Sequence, residues 1–143
     1  MFGAECEKLR EAGGEYGAAT GRPRRVGGLD IPASRYGVRV QGADTLALTK
    51  LDVLSYLEKI PVCVAYEIDG MKTDRFPSGS RLSIAKPVYE YLDGFMTDIS
   101  KCRSAKELPD AAMRYIRFIE SAVGCPIKYV SVGAGRDDYL VLE

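Results

Sequence analysis

Three arginines fall within four positions of the stretch "GEYGAATGRPRRVGG", which runs from Gly14 to Gly28. A guanidinium group presents a planar fork of N–H donors, so Arg22, Arg24 and Arg25 in a glycine-rich run could clamp a carboxylate or a phosphate. Thr20 and the loop backbone could add neutral donors. The same run also fits a solvated basic turn ahead of a helix. A second stretch, "LTKLD" (Leu48 to Asp52), follows an apolar run and has the form of the TKxD variant of the guanine-specificity element NKxD. One carboxylate can accept guanine N1–H and N2–H together, a donor pair that adenine lacks, while the lysine stem lies along the base. An ordinary lysine and aspartate at a strand end would look the same. A third stretch, "SVGAG" (Ser131 to Gly135), also ends an apolar run. Its serine and backbone N–H groups could cap a base carbonyl, or the glycines could simply turn the chain between two strands.

The rest of the composition narrows the chemistry. Lysine plus arginine equals aspartate plus glutamate at 20 each, which argues against a general nucleic-acid or membrane-surface binder and makes any anion site local. Histidine is absent, and Cys6, Cys63, Cys102 and Cys125 form no C-x-x-C pair. That weighs against a zinc site and against catalysis by a serine–histidine or cysteine–histidine pair. Cys63 and Cys125 sit in apolar surroundings and read as buried thiols of a reducing compartment. No stretch has the length of a membrane span and the first residues do not read as a signal peptide, so the cytoplasm is expected.

The 143 residues suit a single domain, 1–143, large enough to bury a core. Residues 5–12 read as the last turns of a helix closed by Gly13 and Gly14. Asp30 reads as an N-cap and Pro32 as a first-turn proline, which predicts a helix over 31–41, weakened by Gly37 and ended by Gly42. Thr45 to Thr49 reads as a buried strand. Asp69–Gly70 predicts a hairpin between two strand-like runs within Val62 to Phe76. Pro87 to Gly94 is a further strand. "LPDAAMRYIRFIESAVG" predicts a helix whose apolar face carries Ala112, Ile116, Ile119 and Val123. Ile127 to Gly133 and Tyr139 to Glu143 read as strands. The expected class is α/β, with a mixed sheet, helices and an antiparallel hairpin.

These motifs, in this order, resemble the adenylosuccinate synthetase family. "GEYGAATGRPRRVG" is similar to its TTGRPRR loop. "SRYGVRVQGADTLALTKLDVL", "VCVAYEIDG", "KPVYEYLDG" and "ISKCRSAKELPDAAMRYIRFIESAVGCPIKYVSVG" resemble the segments that follow it, at the same spacing. The resemblance implies the C-terminal α–β domain of a P-loop NTPase-like fold. It also implies a GTP-dependent ligation of IMP and L-aspartate, in which GTP phosphorylates the 6-oxygen of IMP and the aspartate amine displaces that phosphate. On that resemblance, Ala18, Ala19, Thr20, Gly21, Arg22, Pro23 and Arg24 form the loop that receives aspartate. Thr20 and Gly21 would donate to its carboxylate, Arg22 would touch aspartate and the IMP ribose, and Arg24 would reach the GTP side. Lys50, Leu51 and Asp52 match the guanine-recognition residues, and Ser131, Val132 and Gly133 match a second guanine contact.

The same resemblance places the family's catalytic aspartate and histidine, its phosphate-binding loop, its magnesium ligands and most of its IMP pocket in a long region ahead of Met1. The chain alone is therefore expected to be inactive, with no catalytic or metal-binding residue of its own. The alternative is a truncated, non-catalytic relative that binds a guanine nucleotide or a protein partner. Relative to the family, which has two or three threonines before the loop's glycine, Ala18 and Ala19 precede Thr20 so that one or two hydroxyl donors are lost, Gly28 stands where the family has a tryptophan, and the GPDR run becomes Gly133–Ala134–Gly135–Arg136. Apolar surface left open by the absent region predicts a dimer or larger self-association.

Overall fold

Strand β3 (Lys59–Ile68) organises the larger of two sheets; the computed structural model describes residues 4–142. Most of β3 is buried, as expected of a strand covered on both faces. Along one edge it pairs antiparallel with β5 (Lys86–Asp93), from Lys59↔Asp93 to Glu67↔Lys86, with an irregularity between Cys63 and Ala65. The other edge is shared. The short β1 (Leu29–Asp30) pairs in parallel at Val62 and Cys63, and β4 (Met71–Thr73) pairs antiparallel at Tyr66 to Ile68. Asp69 and Gly70 make the β3–β4 turn with positive φ at both residues, 53° and 76°, as a tight hairpin requires. The second strand of that hairpin is shorter than the sequence suggests. It stops at Thr73, because the Thr73 hydroxyl accepts from Arg75 N at 3.2 Å and turns the chain, and Asp74 leaves to meet Arg35.

The second sheet has the order β2 (Leu46–Leu48), β6 (Ile127–Ser131), β7 (Tyr139–Val141), parallel then antiparallel. Two of its strands are shorter than expected: β2 ends at Leu48 and the central β6 at Ser131, although Val132 N still donates to Asp138 O at 2.9 Å. The final residue of the predicted last strand, Glu143, lies outside the described residues.

Helix α1 (Ala4–Gly13) leads into the arginine loop. Helix α2 (Ile31–Gln41) starts and stops where its caps dictate. Asp30 Oδ1 accepts from Ala33 N at 2.9 Å, Pro32 occupies the first turn, and Gly42 closes the end with φ 62°. A four-residue helix, α3 (Arg81–Ile84), precedes β5. Helix α4 (Asp110–Val123) buries Ala112, Tyr115, Ile116, Ile119 and Val123, the predicted apolar face joined by Tyr115. One buried cluster, from Ile31 to Leu142, joins α2, α4 and both sheets, and Cys125 belongs to it; Cys63 sits in a smaller cluster with Tyr66 and Ile68.

Two contacts anchor β1, and with it the C-terminal end of the arginine loop. Asp30 Oδ2 accepts the Tyr66 hydroxyl, so one carboxylate ties α2, β1 and β3 together. Burial first, then the Asp30 carboxylate, pushes the Tyr66 hydroxyl far above its ordinary range and keeps it a donor. Gly28 lies against β3 so closely that a β-carbon there would stand 2.4 Å from Pro61 O.

Candidate functional site

The three motifs converge at Lys50. This residue sits between β2 and a 3-10 turn (Leu51–Leu54) in the left-handed region, φ 59°. A non-glycine residue held there costs on the order of 1–3 kcal/mol and persists only when its surroundings fix it. Contacts from two distant segments do so. Lys50 N donates to Ser131 Oγ at 2.6 Å, and Lys50 Nζ donates to Gly13 O at 2.7 Å and to Glu15 Oε1. The "LTKLD" and "SVGAG" stretches, which both end strands of the second sheet, are thereby joined side by side.

Glu15 carries the connection onward. Its Oε2 accepts from Arg24 Nη1 at 2.9 Å, and its carbonyl accepts from Arg24 N at 3.0 Å. Arg10 Nε, at the end of α1, donates to Arg24 O at 2.8 Å. Lys50 first, then Arg24, holds the Glu15 carboxyl below the usual carboxylate range. Arg24, Arg25, Glu15, Lys50 and Thr49 rim an open groove of about 320 Å³ whose floor includes the apolar Leu29 and Leu54. A floor of that kind suits a flat ring, and a rim of that kind suits charged groups.

The loop itself folds back on its own backbone. Tyr16 and Pro23 form an isolated bridge, Gly17 N donates to Arg22 O at 2.9 Å, and Gly21 N donates to Gly17 O at 2.8 Å. The Thr20 hydroxyl accepts from Arg22 N at 3.3 Å, which leaves its proton to donate elsewhere. Ala18, Ala19, Thr20, Gly21, Arg22 and Pro23 are all exposed. A carboxylate arriving at Gly21 N would displace the bond to Gly17, so binding there requires the loop to open. Arg22 stays on the outside of the loop, while Arg24 points back to Glu15.

On the other side of Lys50, Leu51 is fully buried and anchors the 3-10 turn. Asp52 Oδ1 is buried and meets no partner among the described residues. A carboxylate oxygen in that state lacks donors that a bound ligand can supply. Val132 is buried, and a β-carbon at Gly133 would stand 2.6 Å from Asp138 Oδ2, so Gly133 lets the loop after β6 wrap that carboxylate. Asp138 Oδ2 also accepts from Gly135 N at 2.9 Å.

Glu15, Arg10 and Asp138 are contributors that motif reading does not single out. Glu15 lies beside the arginine run, but nothing in its spacing marks it as the partner of a lysine 35 positions on.

The whole arrangement has close counterparts. A family model described as adenylosuccinate synthetase matches residues 1–140. The adenylosuccinate synthetase of Aquifex aeolicus is 48% identical over 144 residues, covering 100% of this chain and 33% of that protein. That of Thermobifida fusca is 51% identical over 138 residues, covering 96% of this chain and 32% of that protein. Among solved structures, fully ligated adenylosuccinate synthetase from Plasmodium falciparum superposes with a TM-score of 0.93 at 38% identity, covering 100% of this chain and 35% of that one. The chain therefore spans about a third of the length of the curated relatives it matches. The family match runs through the arginine loop, the Lys50 turn and the Ser131 strip alike, and the chain belongs to the adenylosuccinate synthetase family.

Proposed function

We propose that this chain supplies the aspartate-binding loop and the guanine-recognition wall of a GTP-dependent ligation of IMP and L-aspartate to adenylosuccinate, with residues 1–143 acting as one domain in the cytoplasm. The observation that carries this reading is the convergence of the arginine loop, Lys50 and Ser131 through Glu15 and the Lys50 backbone. Asp52 accepts guanine N1–H and N2–H, and its unpartnered Oδ1 supports that role. Ser131, Val132 and Gly133 flank the base from the neighbouring strand. Ala18 to Arg24 opens to take the aspartate carboxylates, with Thr20 and Gly21 donating and Arg22 and Arg24 neutralising charge.

Family membership also implies magnesium. The described residues contain no group of three metal-ligating side chains, and no step here runs through the ion. The role left to the chain is binding and orientation of GTP and L-aspartate.

Titration of the purified chain with GDP, and separately with ADP, followed by heat, tests the reading. GDP is expected to bind and ADP is not. Equal binding of both, or of neither, would remove the base assignment. A protein-binding or nucleotide-binding module without chemistry is separated by a second arm: adding the remaining two thirds of a relative is expected to restore IMP- and aspartate-dependent GTP hydrolysis.

A further inference from the structure

We infer that Glu15 is a positioning residue that couples the guanine wall to the aspartate loop, so that occupation of one is felt at the other. The inference rests on the subsite assignments just proposed. Its physical basis is the division of one carboxylate between two cations. Oε1 takes Lys50 Nζ and Oε2 takes Arg24 Nη1. Lys50 is in turn bonded through its backbone to Ser131, so a continuous path of hydrogen bonds runs Ser131–Lys50–Glu15–Arg24. It joins segments 9, 35 and 81 positions apart in the chain. The peptide groups follow the same route. Glu15 N donates to Arg10 O at 2.9 Å, and Arg10 Nε and Glu15 O hold Arg24 O and Arg24 N.

Stability is a poor explanation for this arrangement. The Arg24 and Lys50 side chains are 56% and 50% exposed, and Glu15 is 22% exposed. Ion pairs in that setting contribute little to folding. What they do is fix where two charges stand. A base that moves Lys50 or Ser131 alters the share of Glu15 left to Arg24. Arg24 is then drawn closer to Glu15 or released toward an incoming carboxylate. By linkage, aspartate at Arg24 acts back on the base site.

Nuclear magnetic resonance of the 143-residue chain separates the coupling from the subsite assignments. Without ligand, Lys50→Met, which leaves Glu15 wholly to Arg24, and Glu15→Gln, which takes the anionic partner from Arg24, are expected to shift the Arg24 amide and side-chain Nε signals in opposite directions. The double variant should add nothing to Glu15→Gln alone, because Lys50 acts on Arg24 through the Glu15 carboxylate. Arg24→Met should reciprocally shift Lys50 and Ser131. Signals of β3 and β5 should stay in place throughout, which a general loss of structure would not allow. Arg24 signals indifferent to Lys50→Met, or fully additive effects, would overturn the coupling. The GDP arm uses the same spectra. In the wild type, GDP should shift Arg24 as well as Ser131, whereas in Glu15→Gln the Arg24 shift should shrink to what direct contact with the nucleotide gives and the Ser131 shift should stay. An Arg24 shift by GDP as large in Glu15→Gln as in the wild type would overturn the coupling. Failure of GDP to bind the wild type would overturn the base assignment, and the ligand-free cycle would then decide the coupling alone.

Discussion

Asp52 and Glu15 are two carboxylates a few dozen residues apart with opposite circumstances. Asp52 has a buried oxygen that meets no donor among the described residues, and Glu15 has a cation on each oxygen. The first difference predicts selectivity. Asp52→Asn keeps the size but replaces one acceptor with an N–H₂ facing the guanine donors. It should remove about 1–3 kcal/mol of guanine-over-adenine discrimination, the usual worth of one bidentate base contact. Competition of GDP and ADP on the variant measures it. The second difference predicts a pH dependence. The folded-state pKa of Glu15 is depressed, by Lys50 first and Arg24 second. The link is therefore complete above the unfolded carboxyl value of about 4.3 and is lost as pH falls through the lower folded value. Carbon-detected titration of Glu15 should show its midpoint below that of exposed glutamates, with Arg24 Nε moving in step. A normal midpoint would mean the two ion pairs do not persist in solution. Lys50 and Asp52 were legible as a candidate pair because the TKxD spacing is local. Glu15 was not, because its meeting with Lys50 is made by the tertiary fold and leaves no periodic trace.

At the scale of elements, the capping residues decided most of what could be read. Asp30, Pro32 and Gly42 set both ends of α2, and Asp69–Gly70 set the hairpin turn. The choice of partner strands could not be read in the same way. The natural expectation from a hairpin turn is that β4 is the main neighbour of β3, yet β5 covers almost the whole of β3 and β4 only its last residues. Pairing across a long connection depends on which apolar faces meet, and β3 is too uniformly buried for alternation to reveal its faces. The parallel β1–β3 contact is also invisible in sequence, being two residues long. Two substitutions probe these elements. Ile116→Ala, on the fully buried face of α4, should cost about 2–5 kcal/mol through lost burial and the cavity left behind. Tyr66→Phe removes the donor from Asp30 Oδ2 and should cost about 1–3 kcal/mol. Urea unfolding midpoints measure both, and a Tyr66→Phe protein as stable as the wild type would show that water replaces the hydroxyl at Asp30.

Taken whole, the molecule leaves apolar surface open. On the second sheet Tyr129 and Val141 are cross-strand partners, Tyr139 stacks edge-on against Tyr129 at 6.0 Å, and all three are exposed. No helix is long and apolar enough to cross a membrane among the described residues. A contiguous apolar face of this kind favours association. Light scattering at micromolar concentration should show a dimer or larger species, and Tyr129→Ser with Val141→Ser should shift it toward monomer. A monomeric wild type at that concentration would remove the expectation.

The contact between Gly28 and Pro61 bears on how the arginine loop is moored. The resemblance to the family places a tryptophan where Gly28 stands. Here no β-carbon fits, since it would meet Pro61 O at 2.4 Å and Tyr89 Cε1 at 3.2 Å. A side chain at position 28 would push β1 off β3, where Leu29 and Asp30 pair with Val62 and Cys63, so the missing side chain of one glycine sets how closely the arginine loop is moored to the sheet.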